Sequence, residues 1–232
     1  MTKVPGNFTF MKIALDVLRT LPLLQTLSDE ELKEAGQWLG AYKVQPDEII
    51  VQQGSLSTGI FVVLQGQFKI VTHDIENQER GLFFMGERSF FGELSILDDI
   101  PSSASVVAQQ TSWILRIPRP KAQALIETNA QFATQVMRRL SSALRSTNEK
   151  VLMLSAKSKW RVYYFLRSIA KRRDSQLIGR MPKHQAIASM VNLSRETVTR
   201  NLKQLQEARL IQTSTLHGEK VFIIEAEQRL PA

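Results

Sequence analysis

L-S-R-E-T-V-T-R, residues 193–200, is the run on which the fold turns. An α-helix turns once in about 3.6 residues. A helix over this run and its continuation places Arg195, Glu196, Thr199, Arg200 and Lys203 on one face. Val198, Leu202 and Leu205 fall on the opposite face, where they can pack on a core. Arginine matches the major-groove acceptors of guanine, and glutamate accepts from the amino group of cytosine. Taken alone, the run equally describes an ordinary amphipathic helix with a Glu196–Arg200 pair one turn apart.

The flanks separate the two readings. Pro182 to Asn192 (P-K-H-Q-A-I-A-S-M-V-N) reads as a first helix with Ile187, Ala188 and Val191 inward. Asn192 suits the left-handed conformation that a tight inter-helix turn requires. Ser194 is a good N-cap for the second helix. Helix, short turn, helix is the plan whose second helix enters the major groove. Beyond it, Gln212 to Leu216, His217-Gly218 and Lys220 to Ile224 read as a β-hairpin, the wing of a winged helix-turn-helix.

Charge is distributed accordingly. Up to Val136 there are 11 Lys and Arg against 15 Asp and Glu, a net of −4; from Met137 onward there are 19 against 7, a net of +12. A mildly acidic half joined to a strongly basic one is the footprint of a DNA-binding module attached to something else.

A chain of 232 residues with 43 % apolar content can supply two modest cores. It has no cysteine, which excludes disulfides and thiolate-bound clusters. No apolar run reaches the length of a membrane span. The segment through Leu24 carries Asp16 and Arg19, lacks a cleavage site, and reads as a helix rather than a signal peptide. The expected location is cytoplasmic, with no membrane partner.

A further helix opens on Ser28, with Glu31 as its capping-box partner. Short strand-like runs follow at 48–52, 60–64, 68–72, 81–85, 104–108 and 112–117, with glycines between them, as in a small antiparallel barrel or jelly roll. A metal-binding cupin shares that architecture but needs a histidine cluster, and His73 is the region's only histidine. No metal site is expected. Nothing pairs a nucleophile with a base, so no enzyme is expected either. Asn129 to Leu154 reads as one long helix whose Met137, Leu140, Leu144, Thr147, Val151 and Leu154 alternate spacings of three and four, a coiled-coil seam. A twofold dimer through that seam would set two recognition helices one DNA turn apart on a palindrome.

Read together, the chain resembles the cyclic-AMP receptor protein / fumarate–nitrate regulator family of bacterial transcription regulators. The likeness rests on L-P-L-L-Q-T-L-S-D-E-E-L (21–32), G-I-F-V-V-L-Q-G-Q-F-K-I (59–70), F-G-E-L-S-I-L (91–97), T-N-E-K-V (147–151) and S-R-E-T-V-T-R (194–200), in the family's order. It implies an α+β chain: an antiparallel β-roll (jelly-roll) sensor over 1–128, a dimerisation helix over 129–155 and a winged helix-turn-helix over 156–232. In the family, residues matching Arg195, Glu196 and Arg200 contact bases of a TGTGA-type half-site. Ser194, Thr197, Thr199 and Lys203 would accompany them, with the threonines as candidates for phosphate contacts. The implied partners are double-stranded DNA, a second copy of the chain and RNA polymerase. Polymerase contacts lie on exposed loops, for which the basic segment 171–180 is a candidate.

The resemblance also locates an effector site, and there the sequence departs from pattern. In members that bind cyclic AMP, loop amides and an arginine hold the cyclic phosphate while the F-G-E-L glutamate takes a ribose hydroxyl. Phe91, Gly92, Glu93 and Leu94 are intact, but 101–105 reads P-S-S-A-S, with Ser102 at the arginine's place and Ser103 after it. Losing a charge-assisted bidentate contact weakens phosphate binding by about 1.5–3 kcal/mol. Thr147 matches the family's base-contacting threonine, and Asn148 replaces the usual serine. Cyclic AMP is therefore not the expected effector. Another ligand, such as the cyclic di-GMP used by some arginine-lacking members, stays open, as does no effector. Lack of a histidine near the loop disfavours haem, and lack of cysteine disfavours an iron–sulfur sensor. A ligand-binding module that coats DNA nonspecifically also stays open, although backbone binding has no use for a carboxylate at 196.

Overall fold

The computed structural model describes residues 13–76, 78–216 and 218–225. These form two compact units that divide between Leu144 and Arg145. In the first, helices α1 (Leu15–Arg19) and α2 (Asp29–Ala35) precede strands β1 (Gly40–Val44), β2 (Ile49–Val51), β3 (Gly59–Gln65), β4 (Phe68–His73), β5 (Glu79–Met85) and β6 (Phe90–Phe91). A short α3 (Leu94–Leu97), β7 (Ser105–Ala108), β8 (Ser112–Pro118), α4 (Arg119–Thr128) and the long α5 (Ala130–Ser155) follow. The strands form two antiparallel four-stranded sheets, ordered β1-β8-β3-β6 and β2-β7-β4-β5.

Alternation along the strands builds two cores. Side chains alternate faces along a strand, so Ile60 and Val62 of β3 join Leu18, Leu32, Leu115 and Phe132 in a helix-covered cluster. Phe61 and Val63 join Phe68, Phe91, Val106 and Ile114 in a second cluster. Phe90 and Phe91 divide the same way. A strand buried on both faces shows a continuous apolar run rather than alternation, which is what residues 60–64 display.

The second unit has helices α6 (Ser158–Ile169), α7 (His184–Val191) and α8 (Arg195–Glu207). They pack beside a sheet of β9 (Lys171–Arg173), β10 (Gln176–Arg180), β11 (Gln212–Leu216) and β12 (Glu219–Glu225), ordered β11-β12-β10-β9. Tyr163, Ile187, Val198, Leu202, Leu205 and Phe222 are fully or nearly buried. Gly179 sits opposite Phe222 in the ladder, and a β-carbon at 179 would lie 2.5 Å from the Phe222 ring. Only glycine admits the ring there.

Several expectations are corrected. The N-terminal helix stops at Arg19 instead of continuing through Leu24. Pro22 cannot donate to the helix ladder and restricts Leu21 before it, so Leu21, Leu23, Leu24 and Leu27 reach the core from turns. The long helix begins at Ala130, because the Asn129 side chain accepts from the Phe132 N–H at 2.9 Å as a cap. Segment 171–180 is not a loop but the β9–β10 hairpin, which extends the wing into a four-stranded sheet. Strands β1 and β6 went unforeseen. His217 of the wing turn lies outside the described residues.

Candidate nucleic-acid interface and sensor loop

The turn before α8 has the predicted chemistry. Asn192 is left-handed at φ 54°, and the Leu193 N–H donates to the Ala188 carbonyl at 3.1 Å. Ser194 caps α8 by accepting from the Thr197 N–H at 3.2 Å, and its hydroxyl donates to Thr197 Oγ1 at 3.0 Å. Val198, Leu202 and Leu205 are buried, while Arg195, Glu196, Thr199, Arg200 and Lys203 are exposed. The two predicted faces therefore exist as drawn.

The exposed face is arranged less simply than spacing suggests. Glu196 pairs with the helix start, not with Arg200. Its own backbone N–H first, and beyond it the Arg195 charge, hold its carboxyl below the usual carboxylate range. A negative group in the first turn also complements the helix dipole. Lys203 lies 3.9 Å from Glu207, with both side chains well exposed, a contact worth little in water. Thr197 is half-buried in the cap.

Two residues that sequence reasoning did not single out border this face. His184, the first residue of α7, places Nδ1 2.9 Å from Thr199 Oγ1. The same Thr199 hydroxyl donates to the Arg195 carbonyl at 3.0 Å. Burial first, then the charges of Lys220 and Arg195, hold the imidazole below its ordinary 6.5. Lys220 belongs to β12, so wing and helices converge on the histidine. A histidine opening the helix before a recognition run was the available signal.

In the first unit the F-G-E-L loop is tightly built. Phe91 stacks on Phe61, with ring centroids 5.4 Å apart. Gly92 has φ 92°, and a β-carbon there would meet the Gly59 carbonyl oxygen at 2.5 Å, so both conformation and space demand glycine. Glu93 is 4 % exposed. Burial pushes its carboxyl above the usual carboxylate range, with the Arg139 guanidinium and its own backbone N–H pulling the other way. Arg139 Nε donates to the Phe90 carbonyl at 3.3 Å. Leu94 is half-exposed at the head of α3.

The loop is tied to its surroundings through serines. The Ser57 N–H donates to Ser95 Oγ at 2.8 Å, and Arg119 donates to the Ser57 carbonyl at 3.2 Å. Arg119 is also paired with Asp99. Ser102 exchanges backbone bonds with the preceding turn: its N–H donates to the Ser55 carbonyl at 2.9 Å, and its carbonyl accepts from the Gly54 N–H at 2.8 Å. Ser103 is exposed, and its carbonyl accepts from Thr72 Oγ1 at 3.4 Å. Arg88, another nearby arginine in the sequence, is exposed with φ 64°. Thr147 and Asn148 lie exposed on the part of α5 that belongs to the other unit. Among the described residues, no cluster of three or more His, Cys, Asp or Glu could hold a metal. No helix there is long and apolar enough to cross a membrane.

Comparison with known proteins agrees with this arrangement. Residues 42–129 match the cyclic nucleotide-binding domain family, and residues 161–231 match the Crp-like helix-turn-helix domain family. The chain is 29 % identical over 187 residues to the cyclic AMP receptor protein of Thermus thermophilus, spanning 80 % of this chain and 86 % of that one. It is 28 % identical over 191 residues to the cAMP-activated global transcriptional regulator of Haemophilus influenzae, spanning 80 % and 84 %. Among solved structures, a transcriptional regulator of the CRP/FNR family from Eubacterium rectale superposes with a TM-score of 0.67 at 20 % identity, covering 89 % of this chain and 94 % of that one.

Proposed function

The chain belongs to the cyclic-AMP receptor protein and fumarate–nitrate regulator family of transcription regulators, and from that premise we propose that it is a cytoplasmic dimer reading a palindromic TGTGA-type operator. Arg195, Glu196 and Arg200 read bases; Thr197 and Lys203 fix register on the backbone, and Ser194 and Thr199, whose hydroxyl protons go to Thr197 and to the Arg195 carbonyl, hold the start of that face in place. The observation that carries this reading is the α8 face, where these three base readers are exposed over a buried Val198–Leu202–Leu205 stripe. The dimer is proposed to form through 129–155, between a sensor over 1–128 and a DNA-binding domain over 156–232. Met137, Leu144 and Val151, one apolar row of the seam, are each more than half exposed in the single chain, which supports that pairing. RNA polymerase is the proposed protein partner.

Phe91, Gly92, Glu93, Leu94, Ser102, Ser103, Thr147 and Asn148 are proposed to make the effector site, for a ligand other than cyclic AMP. The support is chemical: position 102 offers a hydroxyl and no charge, and of the arginines that touch this loop Arg119 already holds Asp99 and Arg139 donates to the Phe90 carbonyl.

A gel-shift comparison of a TGTGA palindrome with scrambled duplex at moderate salt tests the reader. Preference for the palindrome by at least about a thousandfold is the expected result, and equal affinity refutes it. Glu196→Ala should relax choice at one base pair, whereas Lys203→Ala should weaken every sequence alike and lower the salt slope by about one. Unchanged specificity in the glutamate variant refutes its assignment.

A further inference from the structure

His184 is bound to the recognition helix in a way that fixes its tautomer. A hydroxyl has one proton to donate, and that of Thr199 goes to the Arg195 carbonyl at 3.0 Å. Toward His184 the same oxygen therefore accepts, and the 2.9 Å contact places a proton on Nδ1. The other ring nitrogen, Nε2, is then an acceptor in the neutral ring and a donor in the imidazolium. Among the described residues Nε2 has no hydrogen-bond partner, and the ring is half-buried at the start of α7.

The charged groups facing this ring are Lys220 from β12 and Arg195 from α8. Both are cations, so among the described residues no charge facing the ring favours a third positive one. A group that completes such a cluster is an anion from outside. We propose that His184 is a proton-linked phosphate contact: its Nδ1–H stays on Thr199, while Nε2 gains a proton and donates it to a DNA backbone phosphate as the complex forms. This rests on the reading of the second unit as DNA-binding.

The sign follows from the two states. In the free protein, burial and the two cations keep the ring neutral at pH 7. A phosphate between the cations reverses the local field and raises the imidazole's pKa in the complex. Affinity is therefore greatest at acid pH and declines as pH rises through the pKa of the bound state. Because phosphate contacts carry no sequence information, the effect must be equal on specific and scrambled DNA.

Fluorescence anisotropy of the full chain, at constant ionic strength between about pH 5.5 and 8.5, decides the matter with a TGTGA palindrome and a scrambled duplex side by side. Wild type should lose roughly five- to tenfold in affinity for both duplexes across that range. His184→Gln should be flat at the weak level, His184→Arg flat at the tight level, and His217→Gln should keep the wild-type slope. A flat wild-type profile, or a slope that survives His184→Gln, overturns the assignment. The ratio between duplexes reports on the regulator reading and the common slope on His184, so each can fail alone. Binding to neither duplex at any pH overturns both.

Discussion

Leu144 offers the sharpest test of the proposed dimer. It is 64 % exposed in the single chain, on the row of α5 that also presents Met137 and Val151. Full burial of a leucine side chain is worth about 1.5–3 kcal/mol, so covering the exposed part is worth about 1–2 kcal/mol. A twofold axis applies every substitution twice. Leu144→Ala should therefore cost about 2–4 kcal/mol of dimerisation, raising the dissociation constant between roughly 30-fold and nearly a thousandfold. Alanine is the best helix former, and the position is exposed, so the monomer fold is retained. Sedimentation equilibrium over a dilution series measures the shift, with Ser142→Ala, exposed on another face of α5, as the control. A second readout is DNA: the variant should lose affinity for a full palindrome while half-site affinity is kept. A dissociation constant within twofold of the Ser142→Ala control would refute the seam as the interface.

Three further outcomes are expected. Glu93 has its pKa raised by burial, so the folded sensor holds its proton more tightly than the unfolded chain and loses stability as pH rises above the ordinary glutamate value of about 4.5. Glu93→Gln should remove that decline, leaving the variant progressively more stable than wild type between acid and alkaline thermal melts; parallel pH profiles would contradict it. Asn201 is 3 % exposed on the buried side of α8, with Nδ2 unpaired; Asn201→Leu should stabilise the second unit by about 1 kcal/mol, read as a rise of a few degrees in its melting transition. Ser102→Arg restores a guanidinium to the sensor, and calorimetric titration should show cyclic-AMP affinity at least tenfold tighter than wild type, from about 1.5–3 kcal/mol. No gain would show that the loop itself cannot seat a cyclic phosphate.

Local chemistry was legible where it acts within a few residues. The Ser28–Glu31 capping box forms with both reciprocal bonds, Asn192 takes its left-handed turn, and the α8 stripe is buried where its spacing placed it. What escaped depends on partners distant in sequence. β1 pairs with β8 across some seventy residues, Gly40 opposite Arg116, and its mixed G-A-Y-K-V composition carries no period of its own. β6 has two residues, defined by pairing with β3. The hairpin at 171–180 reads as a polar basic loop until β12 lies against it, Ile178 opposite Ile223. Glu196 and Arg200 illustrate the converse: spacing permits a pair, but the Glu196 backbone N–H at the helix start competes for the carboxylate and holds it.

The same competition for partners governs the sensor. A cyclic phosphate needs concentrated positive charge, and the arginines touching the loop are already engaged. Arg119 is shared between Asp99 and the Ser57 carbonyl, and Arg139 donates to the Phe90 carbonyl while facing buried Glu93. Recruiting either would strip a carbonyl or a carboxyl of its partner, and a buried group left unpaired costs about 1–3 kcal/mol. That loss is comparable to what the recruited contact returns. With its pKa raised by burial, Glu93 is moreover better suited to hydrogen bonding with a ligand hydroxyl or carbonyl than to anchoring an ion. The loop thus keeps the F-G-E-L residues on a backbone fixed by the crowding at Gly92, while its charge is spent on internal bonds. A ligand for it should be recognised through hydroxyl and carbonyl groups, with any phosphate left to solvent.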